Sequence, residues 1–414
     1  MERVKAGTAL AAVVALAAIA PATAAADQRY ASPGGTPVDA CTQPDPCDFK
    51  TAVEGSVDGD EVIVEPGIHT LPVQVNLTTA TVVHGAEGQP APQIVSAAAT
   101  AISVTHPQAV LRWLDVRHTG AGDALLLDDG LGERLTVRST SPGFTCHVRG
   151  TTLRDSICWA TGPGGDAAGM FTSASVDHTL IYNVTAFASG PGSSGVRVQA
   201  QNGFADFRGL NVIAKGSVDI EVVTPPTTAV AVASFDHSNY ASQSLVGPES
   251  FASPPGLSNN QTAPPQFIDA AAGNFEEDPS SPTIDRGTFE PDVGQADVDG
   301  DPRVQGFGID IGAQELFVGP LPPDTNAPDT RILKQPEPRS SRRLSKFKFG
   351  TTEPAGAAFM CSIDGRAFSR CVSPKKFRVK RGKRHSFAVY SIDAAGNADL
   401  TPDVYSWKVR AKNG

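Results

Sequence analysis

The chain has 414 residues, including 40 glycines and 33 prolines, and no long amphipathic helical pattern, which excludes a helical architecture and leaves a nearly all-β reading. Its net charge of −10 hides an imbalance: residues 328–414 hold 19 Lys and Arg against 7 Asp and Glu, a net of +12, so residues 1–327 carry −22. A uniform surface is thereby excluded, and two domains of different character are expected.

At the N-terminus Arg3 and Lys5 precede an apolar run, Ala9 to Ala20, followed by Pro21 and an A-x-A site. This is the pattern of a secretory signal over residues 1–26, cleaved after Ala24 or Ala26. Its core is shorter than the roughly 20 apolar residues that a membrane span requires. The expectation is a secreted monomer, extracellular or held at a cell surface, with no membrane span. Six cysteines fall into three close pairs: Cys41 with Cys47, Cys146 with Cys158, and Cys361 with Cys371. An even count in a secreted chain points to disulfides. The spacings suit zinc poorly, and no histidine pair sits near enough to complete a site.

From about residue 100 to 245 a short apolar-x-apolar strand recurs. Its copies centre on Asp115, Thr136, Cys158, Asn183, Asn211 and Asn239. A drifting period of roughly 20–30 residues marks a solenoid. Without 3.6-residue periodicity, a right-handed parallel β-helix fits best, each coil burying its apolar residues against the next. Asn183, Asn211 and Asn239 are expected to form an asparagine ladder up the stack.

The stretch "YASPGGTPVDACTQPDPCDFKTAVEGSVDGDEVIVEPGIHTL" resembles the N-terminal entry of secreted bacterial right-handed β-helix proteins of pectin-lyase-like fold. The resemblance implies a cysteine loop, a capping helix from Phe49 to Val57, and a first strand in Gly59–Gly67, with His69 where the family has tyrosine. "SSPTIDRGTFEPDVGQADVDGDPRVQGFGIDIGAQE" resembles the C-terminal segment of such proteins, the choice-of-anchor Q domain. It implies that Arg303 pairs with Asp285 or Asp310 to close the last coil. The β-helix domain is thus expected over residues 27–317. The resemblance implies an architecture and an extracellular setting, and no known reaction.

Two features of this domain invite chemistry. Asp297, Asp299 and Asp301 alternate around Gly300, a pattern that suits calcium, although the glycine comes too early for an EF-hand loop and no glutamate closes it. Turn formation is the preferred reading, and no cofactor is expected. "VDH" and "FDH" recur about two coils apart with "ADFR" between them. If the strands align, His178, Asp206, Arg208, Asp236 and His237 gather within ~10 Å, as the acid–base patch of a polysaccharide lyase or glycoside hydrolase would require. Trp113 and Trp159 flank strand centres and read as packed rather than sugar-stacking.

A Pro-rich linker spans residues 318–327, and residues 328–414 alternate apolar and polar residues between turns, as in an immunoglobulin or fibronectin-type sandwich. "FMCSIDGRAFSRCVSP" and "IDAAGNAD" resemble Ig-like modules appended to secreted bacterial proteins, which implies a Cys361–Cys371 bridge around a hairpin at Asp364-Gly365. Its cations cluster as Arg342, Arg343, Lys346, Lys348, Lys375, Lys376, Arg378, Lys380, Arg381, Lys383 and Arg384. Such a surface suits an anionic partner: cell-wall polymer, acidic polysaccharide or, less well, extracellular DNA. The leading functional reading is therefore a non-catalytic scaffold or adhesin with a basic contact module. The alternative is an enzyme acting on an acidic polysaccharide.

Overall fold

Short runs with every second residue apolar cannot bury that face alone, and here each run is covered by the next copy of itself. The structure, a computed structural model, describes residues 27–317 and 327–411, apart from residues 227, 291–293, 354–356 and 394 and the side chain of Asp177. The signal segment and almost all of the Pro-rich linker lie outside the described residues. The chain forms two compact units that divide at Val318 and Gly319.

The first unit is a parallel β-solenoid. Its strands lie in a 13-stranded and an 8-stranded sheet whose pairings are parallel throughout. One inward row shows how the core is made: Val62, Val83, Leu111, Gly132, Leu153, Ile181, Gly209 and Phe235 stand opposite one another from coil to coil. Gly209 is required there, because a Cβ would come within 2.4 Å of the Phe235 ring. The Cys146–Cys158 disulfide joins the two sheets inside this core, and both cysteines are fully buried. The other two expected disulfides, Cys41–Cys47 and Cys361–Cys371, are also formed.

A short helix, Phe49–Glu54, buries Phe49, Ala52 and Val53 in the same core. Asp48 caps its N-terminus by accepting from the Thr51 N–H at 3.0 Å. It ends three residues before the expected Val57, because Gly55 donates back to the Thr51 carbonyl and closes the last turn.

The long strands of the 13-stranded sheet bend once. At each bend one non-glycine residue takes a left-handed backbone: Trp113, Arg134, Asp155, Asn183, Asn211 and His237, with φ between +43° and +56°. Flanking pairs put these residues in one column. This column corrects the expected repeat. Asp115 does pair with Thr136, but Cys158 pairs with Ala186, and Asn239 bridges to Ile213. The asparagine ladder is therefore Asp155–Asn183–Asn211. Asn183 donates to Asp155 at 2.8 Å and Asn211 to Asn183 at 2.9 Å, while Asn239 donates to the Ala263 carbonyl.

Residues 263–317 correct a second expectation. They do not close the last coil but run back along the stack as a strap over the left-handed column. Asn211 exchanges hydrogen bonds with the Thr288 backbone. Phe267 and Phe275 pack on Phe187, and Phe275 meets Trp159 edge-on at 5.6 Å. Trp159 is accordingly buried. Arg303 pairs with neither Asp285 nor Asp310. Its guanidinium, almost fully buried, reaches Asp155 at 2.8 Å and donates to the carbonyls of Gly312 and Ala313. Asp285 and Asp310 instead accept backbone N–H groups of the strap.

The second unit holds a three-stranded sheet (Thr330–Lys334, Leu344–Thr351, Lys375–Arg378) and a five-stranded sheet that includes Ala358–Ile363, Arg384–Ile392 and Asp403–Val409. One apolar cluster draws on both, with Phe347 stacked on Phe387 at 4.2 Å and Trp407 beside them.

Two stability predictions follow from the strap. Replacing Arg303 by Met strands the buried Asp155 carboxylate, and chemical denaturation should show a loss of ~3–5 kcal/mol; a change of under ~1 kcal/mol would mean that the pair does not hold the strap. Burial also pushes Asp310 up to about 6, Glu277 to about 7 and Glu315 to about 8. Between the ordinary carboxylate range and these values the folded state binds more protons than the unfolded state, so stability falls as pH rises. The thermal midpoint should drop from pH 5 to pH 8, and Glu315→Gln should flatten that slope; a slope unchanged in the variant would contradict the assignment.

Candidate functional site

The expected acid–base patch is divided by strand register. Val176 pairs with Ala205 and Thr179 with Phe207, leaving Asp177 and His178 as a bulge opposite Asp206. His178 is exposed there with φ +61°. Arg208 covers Asp206 with a 2.6 Å ion pair, so this carboxylate is buried although it faces outward. Asp236 stands opposite Leu210, four positions beyond Asp206, or about 13 Å along the strand at ~3.3 Å per residue. His237 turns the corner next to it, its Nδ1 3.2 Å from Asp236. The structure thus brings His178, Asp206 and Arg208 to one place and Asp236 and His237 to another.

The alternating aspartates form a turn. One oxygen of buried Asp297 accepts the backbone N–H groups of Asp299, Gly300 and Asp301 at 2.8–3.0 Å, and the other accepts that of Glu315. Gly300 supplies the positive φ that the turn requires. Asp299 accepts from the Gln314 amide, and Asp301 is exposed. Among the described residues no three acidic, histidine or cysteine side chains converge as a metal site would require.

The basic unit gathers its charge in a more ordered way. Alternation turns Phe347 and Phe349 into the core and leaves Lys346 and Lys348 exposed. Strand pairing then sets like charges opposite each other: Lys346 against Lys376, and Lys334 against Lys348. Arg378 follows on the same strand, opposite Leu344, while Lys375 is only half exposed. In the five-stranded sheet Lys408 lies between Arg339 and Arg384 on its two neighbouring strands. Two hollows of about 750 and 780 Å³ flank Arg384, the first lined by Arg378, Lys380 and Lys383 and the second by Arg339, Lys408 and Arg410. Arg342, Arg343 and Arg381 are exposed in the segments between strands, and Arg343 donates to the Val379 carbonyl.

Like charges directly opposite on neighbouring strands destabilise a sheet. Among the described residues none of these lysines and arginines lies within ion-pair distance of a carboxylate; the unit's pairs are Arg331–Asp329 and His385–Asp364. Sequence reasoning missed Lys334, Lys408 and Arg410, and did not single out Arg339 at the edge of its basic run. They stand outside the dense basic runs, or at their edge, and join the rows through strand pairing alone.

No protein-family model matches the sequence, and no curated protein matches it. Among solved structures, that of the pectate lyase Pel9A is similar at 15% identity, covering 70% of this chain and 96% of its own, with a TM-score of 0.39.

Proposed function

We propose that this chain is a secreted, non-catalytic scaffold whose C-terminal unit, an Ig-like sandwich, holds a right-handed β-helix of the choice-of-anchor Q type on an anionic extracellular polymer, as an adhesin does. The observation that carries the reading is the set of opposed, unpaired cations: Lys346 with Lys376, Lys334 with Lys348, and Arg339 with Lys408 and Arg384. A sheet that merely needed solvation would be served as well by mixed charges, at lower cost. A polymer carrying regularly spaced negative charges offsets that repulsion along its whole length. Three disulfides suit an oxidising compartment, and no helix among the described residues is long and apolar enough to cross a membrane. The non-catalytic part of the reading rests on the separation of Asp236 and His237 from Asp206.

The test is retention of the full chain on immobilised polygalacturonate against an uncharged polymer of the same kind. Retention on the acidic matrix should fade as salt rises. The double reversal Lys346→Glu with Lys376→Glu should weaken it by about tenfold, ~1.4 kcal/mol, with an unchanged thermal midpoint. Retention that is insensitive to salt, or to the reversal, would sink the proposal. Shortened polymer after incubation would show an enzyme instead.

A further inference from the structure

The two ends of the solenoid are finished differently. At the first end both sheets are sealed. The Cys41–Cys47 loop bonds the outer edge of the strand Gln28–Ala31: Tyr30 donates to the Cys41 carbonyl at 2.8 Å, and Cys47 donates to the Tyr30 carbonyl at 3.0 Å. The helix Phe49–Glu54 packs against Val75–Leu77, the first strand of the 8-stranded sheet. At the other end the two sheets stop at Gln243–Val246 and Ser250–Ala252. Among the described residues no strand pairs with the outer edge of either. The chain that follows leaves this end and runs back along the stack as the strap.

The core is open there as well. Leu77, Val104, Leu127 and Val148 stand opposite one another on the early coils, and Met170, Val198, Val222 and Leu245 on the later ones. All are fully buried except Leu245, the last, which is 44% exposed. On the same coil Phe251 is 49% and Leu257 59% exposed. Strand edges are ordinarily guarded by lysine, by proline or by inward-turned charge. Gln243–Val246 and Ser250–Ala252 contain none of these.

The chemistry of this end selects its partner. From Ser238 to Ile268 the sequence holds one charged residue, Glu249, in a unit that is otherwise strongly acidic. Two copies of the chain therefore meet here without the repulsion that their other faces would impose. The sealed first end offers no edge for head-to-tail stacking, so an open filament has no second surface to use. What remains is like against like. A two-fold axis sets the end strands antiparallel to those of a second copy, covers Leu245, and brings Phe251 and Leu257 to the seam. The coil of residues 239–261 supplies about the 20–30 residues that each side of a standard interface uses.

In place of the expected monomer, we propose that the chain is a two-fold dimer joined through the last coil of its solenoid. Such a dimer carries two basic units, which strengthens retention on a polymer by avidity. The proposal rests on the solenoid end alone, and its test uses no polymer.

The full chain is followed by sedimentation velocity over a range of concentrations, at low and at high salt. The expected result is a species of twice the chain mass, with none larger, that salt leaves intact because no ion pairs hold it. Leu245→Lys with Phe251→Lys supplies the guard that the edges lack and should weaken the dimer by at least about tenfold. Both residues are half exposed, so the thermal midpoint should hold. A second arm needs no loss of binding. Ser244→Cys, on the end strand, should form a disulfide between copies under oxidising conditions, whereas Val38→Cys, exposed in the loop before Cys41, should not. A monomer at every concentration would overturn the proposal. So would a dimer that survives the two lysines in a folded variant, or linkage through Val38→Cys and not through Ser244→Cys. A dimer that dissolves in salt would overturn it by assigning the association to attraction between acidic and basic units. A mass that keeps growing with concentration would overturn it by showing an open stack.

Discussion

Six successive coils of this solenoid turn from one face of the large sheet to the next through a single residue in the left-handed region, from Trp113 to His237. That requirement organises most of the first unit. A left-handed residue bends the chain, itself leaving the ladder while the residues on either side stay paired in register, and its side chain stands at the corner, outside the apolar core. Stacked coil on coil, these corners make a column whose chemistry is free to vary while the backbone is not. In the middle coils the column is filled by Asp155, Asn183 and Asn211, which bond to one another. In the earlier coils it is filled by Trp113 and Arg134, whose guanidinium lies over the indole ring.

The strap depends on that column. Residues 263–317 form little regular structure of their own, with a two-stranded pair at Phe267–Asp269 and Asn274–Glu277. They are held by what the corners present: the Asn211 amide to Thr288, the Asp155 carboxylate to Arg303, and the Trp159 and Phe187 rings to Phe275. Burying the Asp155–Arg303 pair carries a desolvation cost that the Gly312 and Ala313 carbonyls and the Asn183 amide help to offset. Hydrophobic residues would have served stability as well. A charged pair with fixed hydrogen-bond directions also sets the strap's register along the stack, which a greasy contact would leave free to slide.

The two units place their charge by different rules. In the solenoid most outward arginines have a partner at hand: Glu133 lies between Arg112 and Arg154 on the neighbouring coils, Asp206 is covered by Arg208 on its own strand, and where Arg117 stands opposite Arg138 the first pairs with Asp115 and the second lies over the Trp159 ring. In the C-terminal unit, cations face cations across strands, and among the described residues no carboxylate lies within ion-pair distance of them. The first pattern costs the fold little. The second carries a repulsion that only something outside the unit relieves, and the proposed function rests on this contrast rather than on net charge.

By itself the sequence determined the parallel solenoid, the three disulfides and the N-terminal helix, because each rests on local chemistry: an apolar-x-apolar strand with a drifting period, nearby cysteines, and an Asp48 cap before Phe49. It also marked Asn183 and Asn211 as one column. The tertiary structure alone decided register. Loops of unequal length shift the alignment by one to three residues, which moves Asn239 off the ladder, puts Asp155 onto it, and separates Asp236 from Asp206. It alone decided that Arg303 reaches Asp155, 148 residues away in the chain, and that Lys408 lies between Arg339 and Arg384. The physical reason is common to all of these. A strand's period states which residues face out, but the partner they face is set by pairing between segments that no local pattern connects.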